Sequence, residues 1–90
     1  MAEGIVAEPP YVARLSAALA QALPGAAIEH EHVRADRYRF VVVSESFDGV
    51  GHPERQDIVW DLADQTLGKD DLRKVTMILT VAPSELPSDD

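Results

Sequence analysis

The three histidines are the side chains of this sequence that are best suited to bind a metal ion. His30 and His32 stand two residues apart in the segment 26–33, which alternates like a strand. Alternate side chains of a strand share a face, so both imidazoles can reach one divalent ion, and a third ligand would complete a zinc site. The competing interpretation is a pair of solvated histidines on an edge strand.

A glycine loop followed by a helix is the second region with candidate chemistry. Gly49 and Gly51 allow backbone angles closed to other residues, and Pro53 suits the first turn of a helix. A glycine loop with nearby basic groups can clamp a nucleic-acid backbone. Arg55 is the first basic residue after the loop. Trp60 is interpreted either as a core residue or as the centre of a contact surface.

Catalytic groups are not apparent in the sequence. Asp57, Asp61 and Asp64 recur at helical spacing, which is typical of a solvated helix face. The chain contains no cysteine, and no nucleophile has a base whose proximity follows from the sequence. We therefore predict a protein that is not an enzyme.

The composition restricts the class of protein further. The chain has 90 residues, 46% of them apolar, which predicts one folded domain with a modest core. Its formal net charge of −8 opposes nucleic-acid binding, which depends on basic side chains that neutralise phosphates. No stretch has the length of a membrane span or the pattern of a signal peptide, and the lack of cysteine suits a reducing compartment. We expect a cytoplasmic protein.

Hydrophobic periodicity predicts a first helix that starts at Pro9 or Pro10 and ends at Leu23. Pro24 and Gly25 then stop it. Apolar side chains recur in it every three or four residues, so that one stripe faces a core. The stripe consists of Tyr11, Leu15, Ala18, Leu19, Ala22 and Leu23.

Two strands follow the first helix and are predicted to form an antiparallel hairpin. The first, 26–33, has no strongly apolar face and is expected at an edge of the sheet. A short turn at 34–36 leads into the second strand, which ends at Ser44. Phe40 and Val42 share one face of the second strand and are predicted core residues.

A second helix is predicted from Pro53 to Leu67, with Gly68 closing it. Its predicted inner face consists of Ile58, Val59, Leu62 and Ala63. Trp60 lies away from that line. A third strand follows at 74–81, in which two sets of side chains alternate, and Pro83 ends it.

The order helix, strand, strand, helix, strand predicts a two-layer α+β fold, with a three-stranded mixed sheet and the helices on one face. The connection from the second strand through the second helix to the third makes those two strands parallel. We expect residues 1–8 to form a flexible arm, residues 9–86 the single domain and residues 87–90 an acidic tail.

Two segments of this sequence resemble the signature of the BolA-like family. The first is the run 41–44, VVVS, followed by Phe47, Asp48 and Gly49, where the family has a valine run ending in serine and then F-x-G. The second is 77–85, MILTVAPSE, which is similar to the family's last strand and its threonine-proline-x-glutamate close. The resemblance covers residues 11–86 and implies the class II KH-like arrangement of helices and strands.

The resemblance implies a non-enzymatic partner of monothiol glutaredoxins that shares a two-iron two-sulfur cluster and assists its assembly, trafficking or regulation. In that family the glutaredoxin and glutathione supply thiolates. The BolA-like partner supplies a histidine at the head of the second helix and a histidine or cysteine of the hairpin loop, and imidazole is a suitable ligand for iron. The implied contact surface for a partner or a nucleic acid consists of Phe47, Gly49, Gly51, Arg55, Gln56 and Trp60.

The sequence departs from the family at an arginine-histidine-arginine cluster, which here reads Arg-Gln-Asp at 55–57. The family's histidine position is Gln56, and an amide is not a normal cluster ligand. His52 lies one helical turn earlier and is the substitute candidate, with His30 and His32 as candidates for the hairpin ligand. One alternative is an interaction or homodimerisation module that keeps the fold without a cluster. The other is a KH-like regulator that binds nucleic acid, which the net charge opposes.

Overall fold

The structure is a computed structural model that describes residues 8–86, so most of the predicted arm and the whole predicted tail lie outside it. Helices and strands follow one another in the predicted order. They are α1 (Pro10–Ala22), β1 (Ala27–Arg34), β2 (Arg37–Val43), α2 (His52–Leu72) and β3 (Val75–Val81), with short 3-10 helices at Glu45–Phe47 and Pro83–Glu85. Neither α1 nor α2 combines the length and the hydrophobicity that crossing a membrane requires.

The three strands form one mixed sheet in the order β1-β2-β3. β1 runs antiparallel to the central strand β2, and β3 runs parallel to it. The register places His30 beside Phe40, and Phe40 beside Ile78. The hairpin, the mixed sheet and the edge position of β1 are therefore as predicted.

Both helices cover the same face of the sheet, and the core lies between them and that face. On β2, Phe40 and Val42 are completely buried, as predicted, and Tyr38 is buried beside them. The alternating sequence of β3 did not show which of its two faces is buried. Its core side carries Ile78 and Thr80 because the register sets these two residues beside Phe40 and Val42.

The buried line of α1 differs slightly from the predicted stripe. It consists of Tyr11, Val12, Leu15 and Leu19, and the buried Leu23 follows directly after the helix. Ala18 is only half-buried and Ala22 is exposed. The helix is rotated so that Val12, Leu15 and Leu19 face the core, and both alanines lie beside this line. The sequence did not predict the core position of Val12.

α2 is longer than predicted, and its inner line agrees with the prediction at Val59 and Ala63 but not at Ile58. Its buried side chains are Arg55, Val59, Ala63 and Leu67, which recur every four residues. Ile58, predicted for the inner face, is 46% exposed because the rotation that buries Arg55 and Val59 turns position 58 outward. The predicted stop at Gly68 appears as a break in the helix, with a φ of 79° that glycine adopts without steric cost.

Candidate functional site

Arg55 stands at the centre of the region that the sequence singles out, and only 3% of it is exposed. Its Nη1 and Nη2 atoms donate to the two carboxylate oxygens of Glu85 at 2.8 and 2.7 Å, a bidentate pair. Its Nε donates to the carbonyl of Val50 at 2.8 Å, and Nη1 also reaches the carbonyl of Thr80 at 3.3 Å. The guanidinium lies over the ring of Phe47, 5.6 Å from its centre.

These contacts join the first turns of α2, the glycine loop, the end of β3 and the 3-10 helix that follows it. The Glu85 carboxylate also accepts a hydrogen bond from the backbone N–H of Ala82 at 3.0 Å. Hydrogen bonding from Arg55 lowers the pKa of Glu85 to about 2, and the same contact raises the pKa of Arg55. A buried charge is costly unless it is paired, so Glu85 is what allows the arginine to lie inside the fold.

The prediction that Phe47 and Arg55 lie on a contact surface is wrong, because both side chains are buried. Phe47 packs in the core beneath the guanidinium. One signal of this arrangement was present in the sequence, since Arg55 lies four residues before Val59 on the apolar line of the helix. The partner Glu85 was missed because it lies 30 residues further along the chain and no local pattern connects the two.

Gln56 faces the outer edge of β3, and its amide is engaged at both ends. Nε2 donates to the carbonyl of Ile78 at 2.8 Å and to Oγ1 of Thr80 at 3.3 Å. Oε1 accepts a hydrogen bond from the indole Nε1 of Trp60 at 3.0 Å. Together with the contact from Arg55 to Thr80, these bonds occupy two carbonyls of an edge strand that would otherwise face solvent or another strand.

Trp60 and the two glycines lie around this network. Trp60 is half-buried and packs against the core, and its role at the centre of a contact surface stays a prediction. Gly49 and Gly51 are exposed, Gly49 in the left-handed region with a φ of 77° and Gly51 directly before α2. The arginine that follows the loop is buried and paired, so Arg55 is not available to a phosphate.

His52 is the first residue of α2, and its side chain is exposed at the mouth of the loop. It therefore lies one turn before Gln56, as the sequence predicted. It is close enough to Glu85 for its charge to contribute, as the smallest effect, to the low pKa of that carboxylate. Its role as a ligand stays a prediction.

His30 and His32 share a face of β1, as predicted, and both rings lie against Tyr38, at 5.7 and 5.1 Å between ring centres. Each imidazole has a partner of its own. Nε2 of His30 shares a hydrogen bond with the Glu8 carboxylate at 2.6 Å, and Nε2 of His32 with the carbonyl of Ala35 at 2.7 Å. Within residues 8–86 no three histidine or acidic side chains come together in a way that could hold a metal, so the predicted zinc site is not assembled there.

The histidines of the hairpin and the head of α2 lie at opposite edges of the sheet. His30 is on β1, whereas Gln56 reaches Ile78 on the outer side of β3. Two strand spacings, about 10 Å, lie between β1 and β3. A pair of cluster ligands from the hairpin and the helix is therefore not formed. The pair of ligands that the resemblance implies is therefore not assembled among residues 8–86, because Gln56 is engaged internally, and His52 is the candidate that the head of α2 keeps.

Comparison with known proteins gives a match at the level of structure. No family model matches the sequence, and no curated protein matches it. The solved structure of BolA1 from Arabidopsis thaliana is similar, with a TM-score of 0.66 and 21% sequence identity. The match covers 88% of this chain and 99% of that chain. The chain therefore has a BolA-like fold, as the two signature segments in its sequence imply.

Proposed function

We propose that this protein is a non-enzymatic cytoplasmic partner of a monothiol glutaredoxin, with a role in the assembly, trafficking or regulation of iron–sulfur clusters. The BolA-like fold and the two signature segments support the choice of partner. The Arg55–Glu85 pair supports a binding role, because it holds the glycine loop, the head of α2 and the segment after β3 in one arrangement. A partner would meet a surface that needs little reordering.

The observation that carries the mode of binding is the engagement of Gln56. Its amide nitrogen and oxygen are both hydrogen-bonded within the chain, to β3 and to Trp60. Releasing it toward a partner would leave the Ile78 carbonyl and the indole N–H without their bonds, at a cost in free energy. We therefore propose that the contact with glutaredoxin is made between protein surfaces, without a ligand from position 56.

Titration of this protein into a purified monothiol glutaredoxin tests the proposal, with metal-free and cluster-loaded glutaredoxin compared by calorimetry. We expect both forms to bind, with affinities that differ by less than about tenfold, and the absorption spectrum of the cluster to stay unchanged on mixing. Failure of both forms to bind would remove the glutaredoxin partnership.

A complex that shares the cluster is the second candidate, and the exposed position of His52 one turn before Gln56 favours it. In that case the cluster-loaded form binds more tightly, the absorption spectrum changes on mixing, and His52→Ala removes the change. His32→Ala is the matched control, because this exposed imidazole lies on β1 at the other edge of the sheet. If mixing changes the absorption spectrum of the cluster equally for both variants, His52 is excluded as the ligand.

A further inference from the structure

The two outer strands of the sheet differ in their charge. β1 carries the exposed side chains of Glu29, Glu31 and Arg34. β3 has the sequence VTMILTV, which contains no charged residue, no proline and no glycine. Charged side chains on an outer strand hinder the addition of another strand, whereas a short uncharged segment of this composition pairs readily with copies of itself. The side chains of β3 therefore do not protect it from strand addition.

The outer side of β3 is the side that faces away from β2. Val81 faces β2, because its carbonyl accepts a hydrogen bond from the Ser44 N–H at 2.9 Å. Backbone groups of successive residues in a strand point to opposite sides, so those of Ile78 and Thr80 point outward. Among residues 8–86, no strand pairs with this outer side.

Side chains of α2 cover the outward carbonyls of β3. Gln56 Nε2 donates to the Ile78 carbonyl at 2.8 Å and to Thr80 Oγ1 at 3.3 Å. Arg55 Nη1 donates to the Thr80 carbonyl at 3.3 Å. The indole Nε1 of Trp60 donates to Gln56 Oε1 at 3.0 Å, which holds the amide with its nitrogen toward β3. A second strand would have to displace these side chains before it could bond to the same carbonyls.

We propose that Gln56 prevents β3 from pairing with β3 of a second copy of the chain. A second copy is the occupant that Gln56 excludes, because uncharged β-prone segments pair best with identical segments and every copy supplies one. The charged strand β1 does not need such a cover. The proposal concerns the chain alone, so it does not depend on the glutaredoxin contact.

Gln56→Ala uncovers the Ile78 carbonyl and tests the proposal. We expect the variant to self-associate at least about tenfold more tightly than the original protein, as measured by sedimentation over a range of concentrations. The N–H groups of Ile78 and Thr80 point outward together with their carbonyls. Strand addition should therefore slow the hydrogen exchange of these two amides as the protein concentration rises.

Val12→Ala controls for the loss of stability that Gln56→Ala also causes. Val12 is buried on α1, so its truncation weakens the core without uncovering β3. Both variants are studied under conditions in which urea unfolding shows them to be folded. We expect Val12→Ala to associate no more than the original protein.

A lysine on β3 should reverse the effect of Gln56→Ala. Met77 is 44% exposed, and Met77→Lys adds to the strand a charge that opposes pairing. Ile58→Lys is the matched control, because Ile58 is 46% exposed on α2 and the substitution changes the net charge equally. Added to Gln56→Ala, only the lysine on β3 should restore the weak association of the original protein.

Four results would overturn the proposal. The first is association of Gln56→Ala that is no tighter than that of the original protein. The second is equally tight association of Val12→Ala, which would assign the effect to lost stability. The third is association without slower exchange at Ile78 and Thr80, which would place the contact on another surface. The fourth is an equal reversal by Ile58→Lys, which would assign the effect to net charge.

Discussion

Arg55 occupies a position on α2 that would suit a leucine by its burial and spacing. The helix places it four residues before Val59, and a charge at that place requires acceptors for its donors. Glu85 supplies two acceptors, and the carbonyls of Val50 and Thr80 supply two more. An apolar side chain at this position could not form these bonds. The arginine therefore links the glycine loop and the end of β3 to the start of α2.

Replacing Glu85 by glutamine should change how stability depends on pH. The pKa of Glu85 falls from an ordinary 4.5 to about 2 in the fold, so its ionised form stabilises the fold fully above pH 4.5. That contribution is lost as the pH falls from 4.5 to about 2. We expect Glu85→Gln to be less stable at neutral pH and to depend less on pH in this window, as measured by urea unfolding.

The exposed residue Glu29 on β1 provides the control for this measurement. Glu29→Gln should retain the pH dependence of the original protein between pH 4.5 and 2. Curves for Glu85→Gln that run parallel to those of the original protein would show that the pair with Arg55 does not stabilise the fold.

Tyr11 should make the stability of the fold depend on pH in the alkaline range. Its hydroxyl donates to the carbonyl of Asp36 at 2.7 Å, and burial, followed by the charge of Asp36, raises its pKa to about 12. Because the pKa is raised, the neutral hydroxyl stabilises the fold fully below pH 10. This contribution to stability is lost as the pH rises from 10 to about 12. We expect Tyr11→Phe to cost about 1 kcal/mol at neutral pH and to remove this alkaline loss.

The ultraviolet absorbance of tyrosinate during an alkaline titration, together with denaturant unfolding, checks this expectation. The variant Tyr38→Phe leaves Tyr11 as the chain's single tyrosine, which isolates its titration. A Tyr11 that ionises near pH 10 in the folded protein would contradict the expectation.

At the scale of elements, Gln56 connects α2 to β3 on the side that faces away from β2. Gln56→Ala leaves the Ile78 carbonyl and the Trp60 indole N–H without partners, and we expect a loss of about 1–3 kcal/mol in the free energy of unfolding. Trp60 is the only tryptophan of the chain, so its fluorescence should shift to longer wavelength as water reaches the indole. Denaturant unfolding and emission spectra measure the two effects.

Gln65→Ala provides the matched control for this variant, because Gln65 is an exposed glutamine on the same helix. It should change neither the emission of Trp60 nor the stability by more than about 0.5 kcal/mol. Equal effects of the two variants would show that the contact of Gln56 with β3 contributes nothing specific.

The helices and strands that follow from simple periodicities were predictable from the sequence. The side-chain contacts of the site were not. Alternation located Phe40 and Val42 in the core, and the order of elements gave the mixed sheet. The face of β3 and the rotation of α2 could not be derived locally, because both are set by register and by the buried Arg55. Its partner Glu85 is brought near only when the chain has folded, so sequence spacing could not reveal the pair.

At the scale of the whole molecule, charge opposes the nucleic-acid alternative. The chain carries a net charge of −8, and the arginine behind the glycine loop is neutralised by Glu85. Nucleic-acid binding requires the release of counterions by free basic side chains. We expect no retarded band in gel-shift experiments with DNA or RNA, even at low salt, where such binding is strongest.

A basic RNA-binding domain of similar size serves as the positive control for these gels. A retarded complex of this protein that weakens with added salt would contradict the expectation and would reinstate the glycine loop as a candidate contact.

The bond between Arg55 and Glu85 also constrains when the domain can fold during its synthesis. The arginine leaves the ribosome 30 residues before its carboxylate partner does. A nascent chain that has not yet reached Glu85 would have to enclose a cation without its counter-ion, which opposes closure of α2 over the sheet. We therefore expect α2 to close over the sheet only after Glu85 has emerged.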